Sequence, residues 1–257
     1  MIIKYFNFLK ENAFMDKFKM LYSVAPEGLK KEIDKTKEIQ QNIEWHPEKY
    51  VYDHIRYVTN RLHNCYGDIN LTLSGFFHDL GKIQTTVFNT EKNTWTAYDH
   101  ENSSVVTLHK YRDWVIGQGG DFIIIEYVVQ NHMRYKYLED MKLQEQTKMI
   151  THPFFSYLQK FSTADYGGDG LNCHPIKDIS HIYDKINKIE REKKLSKIIN
   201  SKFNGRMVMD RYPDIKGPDL GITLTKFKST FNDFNDYILN TDSEQIMKDF
   251  DNFIKNI

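Results

Sequence analysis

The chain has 257 residues, 40% of them hydrophobic, enough for one large helical domain or two small ones with a real core. Lysine plus arginine and aspartate plus glutamate number 35 each, so a coat-like DNA or RNA binder held by excess positive charge is not expected. Cys65 and Cys173 belong to no Cys-x-x-Cys pair; they exclude a thiolate-rich zinc site and read as reduced thiols. Met1 to Met20 mixes Phe with Lys, Glu and Asp and is no signal peptide. No apolar run reaches the about 20 residues a membrane span needs, so a soluble cytoplasmic protein is expected.

Helical patterns dominate. Phe14 to Leu21 predicts a short helix and Glu27 to Gln41 a charged one. Trp45-His46-Pro47-Glu48 is a turn. Val51 to Cys65 places Val51, Ile55, Val58 and Leu62 at helical spacing. Ile69 to Leu80 is a more buried helix stopped by Gly81. Thr85 to Asp99 is β-prone, a loop or hairpin over the site. Helices follow at Asn102 to Ile116 and Phe122 to Asn131, separated by Gly117-Gln118-Gly119-Gly120. Pro153 to Tyr166 is another helix, ended by Gly167-Gly168, and Asp169 to Asp178 is a loop. Ile182 to Ile199 is a charged, exposed helix. A Gly-Pro-rich link, Tyr212 to Gly221, precedes an amphipathic helix from Leu224 to Leu239 and a last one from Ser243 to Ile254. Strand content is expected to be very low.

The chemistry centres on Gly75-Phe76-Phe77-His78-Asp79-Leu80-Gly81-Lys82. Two adjacent metal-type ligands cannot both lie on the apolar face of one helix, so at least one turns to a polar centre. Further candidate ligands are His54, His100, His132 and Asp165. Imidazoles plus carboxylates without thiolate suit Mn, Fe, Co, Ni or Zn, and carboxylate-richer sets tolerate Mg. Asp79 has two oxygens and can bridge two ions, so one or two ions are open. Lys82 follows the turn and is a candidate phosphate contact, as is Arg134, whose guanidinium offers a fork; Lys136 lies just beyond it. A buried histidine satisfied by a backbone carbonyl is the plain alternative for His100 and His132. His46 reads as a supporting residue, and Tyr52, Trp95 and Tyr98 as packing residues.

His54, then His78-Asp79, then Asp165 in Phe161-Ser162-Thr163-Ala164-Asp165, resembles in order the HD-domain metal-dependent phosphohydrolases. The likeness extends to one branch. Trp45-His46-Pro47-Glu48-x-x-Val51-x-x-His54, His78-Asp79-Leu80-Gly81-Lys82, His100-Glu101 and Val128-x-x-Asn131-His132-Met133 are similar to the HD region of bacterial CCA-adding tRNA nucleotidyltransferases. Asn204-Gly205-Arg206-x-Val208-Met209 and Gly217-Pro218-Asp219-Leu220-Gly221 resemble the helical segment after it. No Gly-Ser pair with Asp-x-Asp precedes the region, so polymerising activity is not expected.

The resemblance implies an all-α fold: an N-terminal helical extension (1–40), an HD-domain helical bundle (41–170) and a C-terminal helical extension (171–257). It implies that His54, His78, Asp79 and Asp165 hold one divalent ion and that His100 and His132 serve a second. It also implies hydrolysis of nucleotide or RNA-end phosphoesters, a 2′,3′-cyclic phosphodiester or a 2′- or 3′-phosphomonoester. Asp79, Lys82, His100 and His132 would carry the reaction, with Lys82 and Arg134 on the phosphate. Three other readings stay open: a (deoxy)nucleoside triphosphate phosphohydrolase, a cyclic-nucleotide hydrolase, and a tRNA- or RNA-binding module with a relic site.

Overall fold

The computed structural model describes residues 16–256. Phe14 and Met15 of the first expected helix, and most of the stretch read as no signal peptide, lie outside the described residues. The chain forms two units, Met1–Asp178 and Ile179–Ile257. Among the described residues it is all-α apart from one two-stranded antiparallel sheet. No helix there is long and apolar enough to cross a membrane.

The first unit begins with α1 (Lys17–Val24) and α2 (Glu27–Lys35). Phe18, Leu21, Leu29 and Ile33 are buried in one core with Val51, Ile55, Phe76 and Phe77, so residues read as an extension belong to the bundle itself. The expected helix to Gln41 ends at Lys35. Thr36 turns its hydroxyl onto the Ile33 carbonyl, and the chain runs on to a bridge between Gln40 and Tyr50.

Next comes α3 (Val51–Tyr66), which buries the apolar stripe Val51, Ile55, Val58 and Leu62. It stops at Gly67, whose φ of +61° is the left-handed geometry glycine adopts without strain. Asp68 then caps α4 (Ile69–Phe77), accepting from the N–H groups of Asn70 at 2.8 Å and Leu71 at 3.1 Å. After α4 the chain makes a tight turn through His78 and Asp79 into the short α5 (Lys82–Thr85). At Gly81 a Cβ would stand 2.1 Å from the His100 carbonyl oxygen, so only glycine permits this approach.

The β-prone stretch is a hairpin, β1 (Thr86–Asn89) with β2 (Thr94–Ala97), pairing Thr86 with Ala97. The helix expected over Asn102 to Ile116 is two, α6 (His100–Lys110) and α7 (Arg112–Gly117), broken at Tyr111. In α8 (Phe122–Lys136), Asp121 caps the start and the helix runs five residues past the expected Asn131. A turn of 3-10 helix (Leu138–Asp140) and α9 (Leu143–Ile150) were not foreseen. Last is α10 (Phe155–Ser162), after which the chain unwinds four residues before the expected Tyr166. Helices α3, α4, α6, α8 and α10 pack on one another and enclose the buried polar residues described below.

The two cysteines correct the expectation of free thiols: Cys65 and Cys173 form a disulfide, their Cα atoms 6.3 Å apart across 108 residues of sequence. The fold brings the loop after α10 back along α3, a proximity that no local spacing displays.

In the second unit the exposed helix is α11 (Ser180–Lys202), followed by the unforeseen α12 (Gly205–Arg211). The segment read as one helix from Leu224 to Leu239 is two, α13 (Pro218–Lys228) and α14 (Phe234–Asn240), because Asp233 caps a new start on the Asp236 N–H. Last is α15 (Ser243–Lys255). Phe203, Phe227 and Phe250 pack pairwise in tilted and edge-on arrangements, with centroids 5.0 to 5.5 Å apart, and form its core with Val208, Ile238 and Ile246.

Candidate metal centre

Six side chains drawn from five stretches of the first unit meet in the bundle interior. His54 comes from α3, His78 and Asp79 from the turn after α4, His100 from the start of α6, His132 from α8 and Asp165 from just beyond α10. None is more than 8% exposed. The adjacent His78 and Asp79 can both face inward because the helix ends between Phe77 and the turn. Ser104 holds that turn, accepting from the Gly81 N–H at 2.8 Å and donating to the His78 carbonyl at 2.6 Å.

The four imidazoles are oriented alike. In each, Nδ1 meets an outer acceptor: the Glu48 carboxylate for His54 at 2.6 Å, and for His78, His100 and His132 the carbonyl three residues earlier in the chain, at 2.9, 2.7 and 2.7 Å. In the tautomer that places the proton on Nδ1, each neutral ring would present Nε2 inward as a lone pair. The plain alternative for His100 and His132, a bond to a backbone carbonyl, is therefore present and leaves the second nitrogen available.

Those four nitrogens surround two carboxylates. Asp79 faces both pairs of rings. Its Oδ2 lies 3.3 Å from His78 Nε2 and 3.6 Å from His54 Nε2, and its Oδ1 lies 3.1 Å from His100 Nε2 and 3.9 Å from His132 Nε2. Asp165 Oδ1 lies 3.1 Å from His54 Nε2 and 3.8 Å from His78 Nε2. The donor atoms of His54, His78 and Asp165 all lie within 4.8 Å of one another, and so do those of Asp79, His100 and His132. Buried histidine and aspartate clusters of this composition can hold a metal ion.

Two details test that fit. His78 Nε2 is buried with no hydrogen-bond partner, a costly state for a polar atom unless a cation satisfies it. His100 Nε2 and His132 Nε2 stand 3.2 Å apart, and two lone pairs at that distance repel unless a proton or metal ion lies between them.

The surroundings keep the carboxylates ionised. Burial raises the Asp79 carboxyl, but His78, Lys82 and His100 together hold it well below its ordinary range. Asp165 is likewise raised by burial and overcome by Lys136, His54 and His78. Lys82 Nζ stands 2.8 Å from Asp79 Oδ2, without the angle of a hydrogen bond, and donates to Gln41 Oε1 at 2.6 Å. Arg134 turns instead to Glu145 at 3.2 Å and to Asn131 Oδ1 at 3.5 Å. Tyr98, read as a packing residue, is 66% exposed and accepts from Lys92 at 3.2 Å.

Two functional residues escaped the sequence reading. Glu48 accepts from His54 Nδ1 with one oxygen, and its other oxygen accepts from the Gly168 N–H at 2.8 Å. It thereby fixes the His54 ring and ties it to the loop behind Asp165. The signal was the carboxylate after Pro47, six residues before His54. Arg61, fully buried on α3, donates to the carbonyls of Ala164, Tyr166, Gly168 and Gly170, the stretch that carries Asp165.

Beside Glu48, His46 Nδ1 lies 3.2 Å from Oε1. Burial pushes its imidazole down to about 4, against the upward pull of Glu48. The folded state thus resists a proton that the unfolded chain takes up at its ordinary 6.5, so this part of the stability is complete above that value and falls as the pH drops towards 4. The shift corresponds to about 3 kcal/mol. Buried His132, also lowered, acts in the same sense; His54, raised by Asp165 and Glu48 against burial, opposes it. The depressed carboxylates Glu48, Asp79 and Asp165 act in the same sense, but only as the pH falls below about 5. Urea unfolding of metal-free protein between about pH 7 and 4 is expected to show a shallower slope in His46→Asn than in wild type. Parallel slopes would refute this account of His46.

Comparison of the chain with protein-family models, with curated proteins and with solved structures found no match.

Proposed function

We propose that this chain is a metal-dependent phosphohydrolase of HD-domain type. Its substrates would be nucleotide or RNA-end phosphoesters, a 2′,3′-cyclic phosphodiester or a 2′- or 3′-phosphomonoester. The observation that carries the reading is the common orientation of His54, His78, His100 and His132, with every Nε2 directed at Asp79 or Asp165. The order of those residues along the chain supports it through the resemblance described above.

In this reading His54, His78 and Asp165 would hold one divalent ion and His100 and His132 would serve a second, with Asp79 available to either set. Manganese, nickel, cobalt, iron, zinc and magnesium all suit such donors to different degrees. Bound there, divalent ions supply Lewis acidity towards a phosphate oxygen and lower the pKa of water. The protein's own share is orientation. Glu48 and the three backbone carbonyls keep each histidine in the tautomer that offers Nε2. Lys82 keeps positive charge on Asp79 at the edge of the centre, where charge develops on a phosphoryl group under attack.

The test is metal analysis of purified protein, then assays with each ion on a cyclic phosphate, 2′- and 3′-monoesters, a nucleoside triphosphate and a cyclic nucleotide. Expected is phosphate-ester cleavage of the cyclic or monoester substrates that chelation abolishes. Stoichiometric metal binding with no turnover on any of them would overturn the proposal, and RNA retention indifferent to chelation would point to a binding module.

A further inference from the structure

Two ammonium groups reach the buried carboxylates, and they differ in how far they reach solvent. Lys82 stands beside Asp79 and donates to Gln41, and its side chain is only 10% exposed. Lys136 Nζ lies 3.1 Å from Asp165 Oδ2, and its side chain is 38% exposed while that of Asp165 is 3% exposed. Lys136 therefore runs from solvent to the centre. It meets the Asp165 oxygen that the imidazoles do not use, since His54 and His78 face Oδ1.

Helix geometry explains the placement. His132 and Lys136 are four residues apart on α8, so they share a face, whereas Arg134 lies between them on another and pairs with Glu145. An ammonium carries three protons. Among the described residues, Asp165 is the sole acceptor found for those of Lys136.

We propose that Lys136 is the phosphate-binding residue of this centre: it stays on Asp165 Oδ2 and gives its remaining protons to the nonbridging oxygens of a phosphate group entering from solvent. This rests on the phosphohydrolase reading for its substrate class. It assigns to Lys136 the contact that the sequence suggested for Arg134.

The probe is inorganic phosphate, titrated calorimetrically into manganese-loaded protein. Expected is phosphate affinity weakened roughly ten- to hundred-fold in Lys136→Met, the loss of one hydrogen bond to a charged group. Lys136→Arg should restore part of it, and manganese affinity should be equal or tighter in Lys136→Met because a competing cation is gone. Unchanged phosphate affinity in Lys136→Met would overturn the inference. So would loss of manganese binding or of folding in both variants, which would make Lys136 a structural counter-ion. A wild type that binds phosphate through Lys136 yet cleaves no ester would overturn the hydrolase reading alone. Ester cleavage with KM unchanged in Lys136→Met would overturn this inference alone.

Discussion

Asp79→Asn is expected to give a folded protein that no longer holds divalent ions in the buried centre and has no metal-dependent turnover. Asp79 is the one carboxylate whose two oxygens face both pairs of imidazoles, so its loss removes a donor from each group at once. Partners outside the first ring of donors already change metal affinity about 10- to 100-fold. Loss of a shared donor is expected to exceed that. The substitution also takes a charge from Lys82, which keeps Gln41 as its remaining acceptor. A buried ammonium left without a countercharge costs about 3–5 kcal/mol, so the double variant Asp79→Asn with Lys82→Met is the control for folding. Titration of manganese, followed by metal analysis after gel filtration, reads binding; circular dichroism reads the fold. A manganese-loaded Asp79→Asn variant working at the wild-type rate would end the case for the centre.

The parts of this arrangement visible in the sequence are those written in local pattern. The stripe Val51, Ile55, Val58 and Leu62 announces α3, and His54 lies on the same helix. The doublet His78-Asp79 announces itself because an apolar helix followed by Gly81 must let two polar side chains leave its face. The hairpin between Thr86 and Ala97 follows from β-branched and aromatic residues around Asn93, whose φ of +48° makes the turn.

What stayed hidden acts across distance or breaks the pattern. Buried Gln146 interrupts the apolar face of α9, because it donates to the carbonyls of Leu138 and Glu139 instead of packing as a hydrophobe. The break at Tyr111 has neither glycine nor proline to mark it. Glu48 finds Gly168 across 120 residues, and Cys65 finds Cys173 across 108. Arg61 is the plainest case. Its acceptors are main-chain carbonyls, which every residue has, so no side-chain spacing could have named them.

Arg61→Ala is accordingly expected to be among the most destabilising single changes in the first unit. Its Nε donates to the Gly170 carbonyl at 2.6 Å, and one Nη donates to Ala164 and Tyr166 at 3.0 and 2.7 Å. The other Nη donates to Gly168, and the guanidinium carbon sits 3.8 Å over the Tyr166 ring. Each buried carbonyl left without a donor costs about 1–3 kcal/mol. Part of the segment can recover water, so a net loss of about 3–5 kcal/mol is expected. In a unit of this size that lowers the melting temperature by about 10 °C. Arg61→Lys keeps the charge but not the planar fork, and should recover only a fraction. The consequence reaches the candidate metal centre because His54, Arg61 and Cys65 follow one another along α3 at intervals of seven and four, a single helix face. That face grips the incoming segment three times, at Asp165, at the four carbonyls and at Cys173. Releasing the middle grip leaves the segment held by the contacts of Asp165, the Glu48–Gly168 bond and the disulfide, so manganese affinity should fall with stability, and further when the disulfide is reduced. Thermal unfolding and manganese titration of Arg61→Ala, oxidised and reduced, check both parts. Melting within a degree of wild type would show that the segment holds its shape without the guanidinium.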